Sequence, residues 1–411
     1  MPPGTINKTC ERKHPLPDVA RNKTVPGTGR MASVQTPIIA VIADLIKAHP
    51  GTISLGQGVV NYGPPPQAIE RVLALDYSGD IHKYGPTGGI TPLCAMLAAK
   101  LTAENGIRAG QESSIIVTAG SNMAFLHALF AITCPGDEII LPVPYYFNHE
   151  MAITMLDCRA VLVPTTDEYL LQPDAIRRAI TPMARAIVTV SPNNPSGMVY
   201  SEKSLREINA LCAEHGLYHI SDEAYEYFTY DGARHFSPGS IPGAEHYTIS
   251  LYSLSKAYGL AHWRTGYMVA PAHLQTALYK AQDTNLICPP VVSQYAAMGA
   301  LEAGQAYCRR QLGNFEDVRK IILAELRNIS SFCTLSSSNG AFYFLLKVDT
   351  ELDDLTVVRR LISEHGVAVI PGHTFGHSNG CYLRVAYGAL ERQYAVEGIR
   401  RLTGGLAALG M

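Results

Sequence analysis

The chain lacks a long apolar run, an excess of charge of either sign and any paired cysteines, and each absence removes a class of function. No stretch approaches eighteen apolar residues without a charge, so no membrane-spanning helix is expected. The formal net charge is −2 and the basic residues are dispersed, which leaves no electrostatic footprint for nucleic acid or an anionic membrane surface. The nine cysteines (Cys10, Cys94, Cys134, Cys158, Cys212, Cys288, Cys308, Cys333 and Cys381) are odd in number and far apart. None forms a C-x-x-C pair, so neither a zinc site nor a disulfide framework is indicated. Free buried thiols in a reducing cytoplasm are the expectation. Lys8, Arg12, Lys13, Arg21, Lys23 and Arg30 fall among several prolines with no continuous apolar core, so the start does not read as a signal peptide. Residues 1–35 are expected to form an extended arm or disordered tail. Internal repeats and low-complexity segments are also missing.

What remains is a chain of 411 residues, nearly half of them hydrophobic, which is too long for one ordinary core and implies two domains. Short apolar runs alternate with helical patterns through the middle. They are Ser114–Thr118, Glu138–Leu141, Ala160–Val163, Ala186–Val190, Tyr218–Ile220 and Tyr247–Leu251. That alternation predicts an α/β fold with a mostly parallel sheet covered by helices on both faces. Helices are predicted over Thr36–Ala48, Thr91–Asn105 and Met123–Thr133. The last hundred residues differ: a helical stretch near Tyr307–Asn328, the run Ala341–Leu346, another helix and the strand-like Cys381–Ala386 read as a smaller α+β domain. The expected division is a large domain over 76–290 and a small domain made of 36–75 together with 291–411.

Polar residues fall repeatedly at the carboxyl ends of the predicted strands, where open α/β sheets bind ligands. Val190 is followed by Ser191-Pro192-Asn193-Asn194-Pro195-Ser196-Gly197, Ile220 by Ser221-Asp222-Glu223-Ala224-Tyr225, and Leu251 by Tyr252-Ser253-Leu254-Ser255-Lys256. A lysine in such a place can hold an aldehyde cofactor as a Schiff base, its amine desolvated enough to work near neutral pH. A buried carboxylate, Asp222, would keep a pyridine-type nitrogen protonated, and Tyr225 and Asn194 would donate to the ring oxygen. The alternative is that Asp222 only caps a helix and Asn194 only shapes a turn. Gly120-Ser121-Asn122 opens a helix directly after a strand and offers an anion pocket, to which Ser253, Ser255 and Arg264 add donors. Tyr146 is placed to stack on a ring or to fill the core. Arg384, alone in an apolar strand, needs either a structural carboxylate or a substrate carboxylate.

These residues together resemble the class I/II aminotransferases of the fold-type I pyridoxal phosphate enzymes. The resemblance runs from about Gln35 to the C-terminus. It rests on LGQG at 55–58, KYGPTGG at 83–89, TAGSNMAF at 118–125, SPNNPSG, SDEAYEYF, SLSKAYG with WRTGY, and YLRVAYG. It implies pyridoxal 5'-phosphate held by Lys256 as an internal aldimine, with the freed lysine as the proton shuttle, and a homodimer with active sites at the subunit interface. By the same resemblance Asp222 pairs with the pyridine nitrogen, Asn194 and Tyr225 with the ring oxygen, and Tyr146 stacks. Ser121, Asn122, Ser253, Ser255 and Arg264 hold the phosphate, Tyr84 reaches it from the other subunit, and Arg384 with Gly58 clamps the substrate carboxylate. Two departures stand out. Val59-Val60-Asn61 replaces the usual acidic entrance run, and His262 precedes Trp263-Arg264 where a small residue is usual.

His262 is either an exposed or core-satisfied histidine, or a group near the phosphate or substrate mouth. The leading expectation is transamination between an α-amino acid and a 2-oxo acid in the cytoplasm, with no nucleic-acid or membrane partner. The alternative with the same cofactor is elimination, replacement or carbon–carbon bond formation on an amino acid such as S-adenosylmethionine, since fold does not fix reaction type. The residues before the fold are too few to form the DNA-binding module a regulator of this kind requires.

Overall fold

Seven strands form the main sheet of the structure, a computed structural model that describes residues 29–110, 112–336 and 338–410. In chain order they are β1 (Ser113–Thr118), β2 (Glu138–Val143), β3 (Arg159–Pro164), β4 (Ala184–Val190), β5 (Tyr218–Asp222), β6 (Thr248–Ser253) and β7 (Gly266–Pro271). Their spatial order is β1-β7-β6-β5-β4-β2-β3. The pairs from β6 through β5, β4 and β2 to β3 are parallel, and β7 runs antiparallel to both β6 and β1. Six of these strands answer to the predicted runs: five are extended by one or two residues, and β6 begins one residue later and ends two residues later than predicted. Strand β7 was not predicted: its apolar stretch follows the Trp263-Arg264 motif and was absorbed into it.

Burial on both faces explains the continuous apolar runs. Ile139, Leu141, Val188, Ile220 and Met268 pack on one face with Phe125 and Leu129. Ile140 and Ile187, one residue out of phase, pack on the other with Leu205, Ile208 and Leu211. The helix Glu202–His215 that supplies this second face is started by Ser201, whose hydroxyl accepts from the Ser204 amide, and ends at left-handed Gly216.

A second sheet, all antiparallel, joins β8 (Cys333–Leu335), β9 (Tyr343–Val348), β10 (Ile370–Pro371) and β11 (Cys381–Ala386) in the order β10-β11-β9-β8. The helix predicted over Thr36–Ala48 forms at Ile38–Ala48, and that over Thr91–Asn105 is α-helical to Lys100 before a π turn at Leu101–Asn105. The long late helix, Val291–Leu326, is broken at Gly304, where φ is 61°. Most of the expected arm (1–28) lies outside the described residues; Gly29–Ser33 is an exposed 3-10 turn. Among the described residues seven cysteines are free thiols. Cys134 is disulfide-bonded, which corrects the expectation of free thiols throughout. Among the described residues no helix is long and apolar enough to cross a membrane.

Close helix packing sets one stability test. Gly299, buried in Val291–Leu326, lies against the helix Pro66–Leu73, and a Cβ there would stand 2.1 Å from the Gln67 carbonyl oxygen. Helix propensity alone favours alanine over glycine by about 1 kcal/mol, but the clash forces the two helices apart at a cost of about 1–3 kcal/mol. Gly299→Ala should therefore lower the urea midpoint. A midpoint that rises would refute this account of the contact.

Candidate active site

The strand register brings the chemistry together. Val190 pairs with Asp222, and Asp222 with Leu251, so three strand ends stand at one level. Gly266 of β7 pairs with both Ser253 and Thr118, which brings the loop after β1 to the same edge. A side chain at 266 would collide with the backbone of Gly120, Ser121 and Tyr252 within 2.8 Å. A cleft of about 100 Å³ opens here, lined by ten of the predicted residues: Ser121, Asn122, Tyr146, Asn194, Asp222, Tyr225, Ser253, Ser255, Lys256 and Arg264.

At one end the helix Ser121–Ile132 points its first turn into the cleft, and its unpaired backbone N–H groups favour an anion. Arg264 lies flat on this turn, donating to Ala119 O at 3.2 Å and to Ala261 O at 3.0 Å. Gly120 makes this possible: at φ 87° with no side chain, it leaves the space that a Cβ, 2.3 Å from Arg264 Nη2, would occupy. Arg264 itself has φ 54°, a left-handed conformation that costs a residue with a side chain about 1–2 kcal/mol.

Lys256 occupies the centre. Its Nζ donates to the carbonyl of Gly58. Burial, with the nearby cations Arg384 and Arg264, pulls the amine from 10.5 to about 8, against the opposing pull of Asp222. Asp222 is buried at the end of β5. One of its oxygens accepts from the Ala224 amide at 3.1 Å, so it shapes its own turn as well as facing the cleft. The other oxygen is 3.1 Å from His149 Nε2, a buried ring that stacks on Phe125 and meets Tyr146 edge-on. Neither His149 nitrogen is aligned for a hydrogen bond. Glu223, next along the chain, faces away and binds Tyr252 and His235 at 3.0 and 2.8 Å.

Arg384 decides between its two predicted readings. It is 2 % exposed and donates to Asn194 Oδ1 at 3.0 Å and to Gly56 O at 2.6 Å, while Nε has no partner. Its guanidinium sits between the rings of Tyr343 and Phe375, at 4.9 and 5.1 Å from their centroids. Among the described residues no carboxylate pairs with it. A buried cation without a counter-charge is costly, and an incoming carboxylate would relieve that cost. Because Asn194 Oδ1 is engaged by Arg384, its Nδ2 faces the cleft side, 3.5 Å from the Tyr225 hydroxyl. That hydroxyl in turn lies 2.7 Å from Tyr343 Oη.

Of the four predicted residues outside the cleft lining, Arg384 and Gly58 bond to it and two do not. Tyr84 is 79 % exposed on this chain, and His262 is exposed. Gly58 is at the site through its carbonyl, and a Cβ on it would meet Tyr343 Oη at 2.5 Å. Asn61, in the altered entrance segment, donates to Leu390 O at 2.9 Å. Tyr62, next along the chain, donates to the backbone carbonyls of Lys256 and Ala257 at 3.1 and 3.3 Å. Sequence reasoning missed His149 and Tyr343. The spacing of His149, three residues after Tyr146 on one helical face, was an available signal. Tyr343 lay inside an apolar strand and gave none.

Comparison with known proteins agrees with this geometry. The family description "Aminotransferase class I and II" matches residues 50–402. The chain is similar to aromatic aminotransferase ISS1 of Arabidopsis thaliana, at 33 % identity over 92 % of this chain and 96 % of that protein. It is similar to aromatic-amino-acid aminotransferase 2 of Thermococcus litoralis, at 31 % identity over 87 % and 92 %. Among solved structures it resembles a Thermus thermophilus aspartate aminotransferase double mutant, with a TM-score of 0.85, 28 % identity, and coverage of 93 % of this chain and 100 % of that one.

The lowered lysine pKa is directly measurable. Reductive methylation of the cofactor-free protein, followed residue by residue by mass spectrometry, should give Lys256 a labelling midpoint near pH 8, with the neutral amine accumulating as pH rises through that value. Exposed lysines should titrate near 10.4. A Lys256 midpoint matching the exposed lysines would show that its amine is fully solvated.

Proposed function

The chain belongs to the class I and II aminotransferases, pyridoxal 5'-phosphate-dependent transferases, and from that premise we propose that it moves the amino group of an α-amino acid to a 2-oxo acid with Lys256 as attachment point and base. The observation that carries the reading is Arg384, a buried arginine without a counter-charge, bonded to Asn194 of the lysine cleft. The residues fit the cofactor: an anion-accepting helix start, a buried carboxylate and an amine share one cleft, and the Gly120 hollow holds Arg264 against the anion end. When bound, the cofactor supplies the electron sink that makes an amino acid's α-proton removable.

The side chains have separable tasks. Ser121, Asn122, Ser253, Ser255 and Arg264 bind the phosphate. Asp222, oriented by the Ala224 amide and backed by His149, keeps the ring nitrogen protonated. Asn194 and Tyr225 donate to the ring oxygen, and Tyr146 packs against the ring. Arg384 takes the substrate carboxylate. Lys256 Nζ, neutral in part near pH 7 because of its surroundings, takes the α-proton, and the Gly58 carbonyl holds the amine when it is not so engaged. Elimination would use the same groups, but the relatives' activities support transamination.

We assign the active sites to a homodimer in which the exposed Tyr84 reaches the anion cup of a second copy, and place His262 at the rim. Residues 76–290 would then form the cofactor-binding domain, and 36–75 with 291–411 the small one. We place the enzyme in the cytoplasm. For the amino donor we infer the aromatic class named for two relatives. Among the described residues the arginines at the cleft are Arg264, at its anion end, and Arg384, for the α-carboxylate, so this chain brings no further arginine for a second substrate carboxylate.

Lys256→Ala should abolish the visible band of the lysine-bound cofactor together with activity; persistence of both would overturn the proposal. Arg384→Ala should lower kcat/KM by on the order of a hundredfold or more, from about 3 kcal/mol of lost charge pairing, chiefly through KM. An unchanged KM would remove Arg384 from substrate binding. In single-turnover reactions with donor alone, phenylalanine or tyrosine should convert the cofactor at least about tenfold more efficiently than aspartate. Parity or an aspartate preference would overturn the donor assignment.

A further inference from the structure

The hydroxyl of Tyr225 has three neighbours but one proton. A phenol offers one donor hydrogen and two acceptor lone pairs. Asn194 Nδ2, 3.5 Å away, can only donate, because the other end of that amide accepts from Arg384. Tyr343 Oη, at 2.7 Å, is the second neighbour, and the cleft is the third. If Tyr343 donates to Tyr225, both lone pairs are filled and the proton of Tyr225 is left for the cleft. If Tyr225 donates to Tyr343, that proton is lost to the cofactor.

The surroundings choose between these arrangements. The Arg384 guanidinium lies 4.9 Å from the Tyr343 ring centroid. Both hydroxyls are buried, which raises each above the ordinary tyrosine value. Tyr343 is also held from the other side, since Gly58 packs so closely that a Cβ would stand 2.5 Å from Tyr343 Oη. Among the described residues that hydroxyl has no other hydrogen-bond partner, so its proton goes to Tyr225.

We propose that Tyr343 is a positioning residue for the reaction, donating to Tyr225 so that the Tyr225 proton is aimed at the cofactor's ring oxygen. This rests on the function proposed above. Hydrogen bonds in a chain strengthen one another, so Tyr343 also makes Tyr225 a stronger donor. A donor on the ring oxygen draws charge from it and lowers the basicity of the neighbouring lysine nitrogen. Losing Tyr343's hydroxyl should therefore raise the pH at which the lysine-bound cofactor changes its visible spectrum.

Spectral pH titration of the holoenzyme, with Tyr343→Phe, Tyr225→Phe and the double variant, tests this. Phenylalanine keeps the ring beneath Arg384 and removes only the hydroxyl. Tyr343→Phe should raise the spectral midpoint by about half a unit or more and lower kcat severalfold near pH 7, with KM for the amino donor little changed. In a Tyr225→Phe background the same substitution should add no further shift, because Tyr343 acts through Tyr225. A midpoint unmoved by Tyr343→Phe overturns the proposal, as does an equal shift in both backgrounds. A titrating band that survives Lys256→Ala overturns the proposed function and this inference with it. A lysine-dependent band that ignores Tyr343 overturns the inference alone.

Discussion

Val190, Asp222 and Leu251 stand side by side across β4, β5 and β6, and the cleft depends on that register. A parallel sheet buried on both faces tolerates little slippage, because a shift of one residue turns every side chain to the opposite face. The alternation of Ile139 with Ile140 and of Ile187 with Val188 between two cores locks it. With the strands fixed, Asn194, Asp222 and Lys256 leave their strands at one level although they are distant in sequence. Gly266 extends the alignment to the helix start at Ser121. The packing of the sheet and the placement of the chemistry are therefore the same constraint.

Charge is distributed unevenly over this frame. Lys256, Arg264 and Arg384 gather near a single cleft-facing carboxylate, Asp222, while Glu223 turns its charge into a separate buried network with His235 and Tyr252. Strand alternation does the sorting. The excess of positive charge lowers the affinity of Lys256 for its proton and leaves room for anions at two ends, the helix start and Arg384. A site that is to hold an anionic cofactor and an anionic substrate must begin with cations it does not itself neutralise.

Much of this was legible in the chain. The strand-end residues carry unusual chemistry in an apolar setting, so Lys256, Asp222, Asn194 and Arg384 announce themselves, and the predicted strands fall where the sheet has them. The two roles open for Arg384 needed three dimensions, because the presence of a carboxylate partner is a matter of packing. His149 and Tyr343 escaped for a related reason. Each looks like ordinary core, and its significance lies in what it touches across the fold: Asp222 for one, Tyr225 for the other. Strand β7 was hidden by the motif ahead of it. Tyr84 and His262 are exposed, and no contact within this chain assigns them a task.

The hydroxyl of Tyr62 holds the backbone of Lys256 and Ala257 from the entrance segment, and Gly259 packs against the Tyr62 and Gly63 carbonyls with no space for a Cβ. The segment around Tyr62 and Gly63 is thus fastened to the loop that carries the lysine. For anyone redesigning substrate choice, the two are not separate modules. Grafting a different entrance loop would also reset the pose of the lysine. Recognition and proton transfer would have to be retuned together, and a chain diverging in nature would face the same coupling.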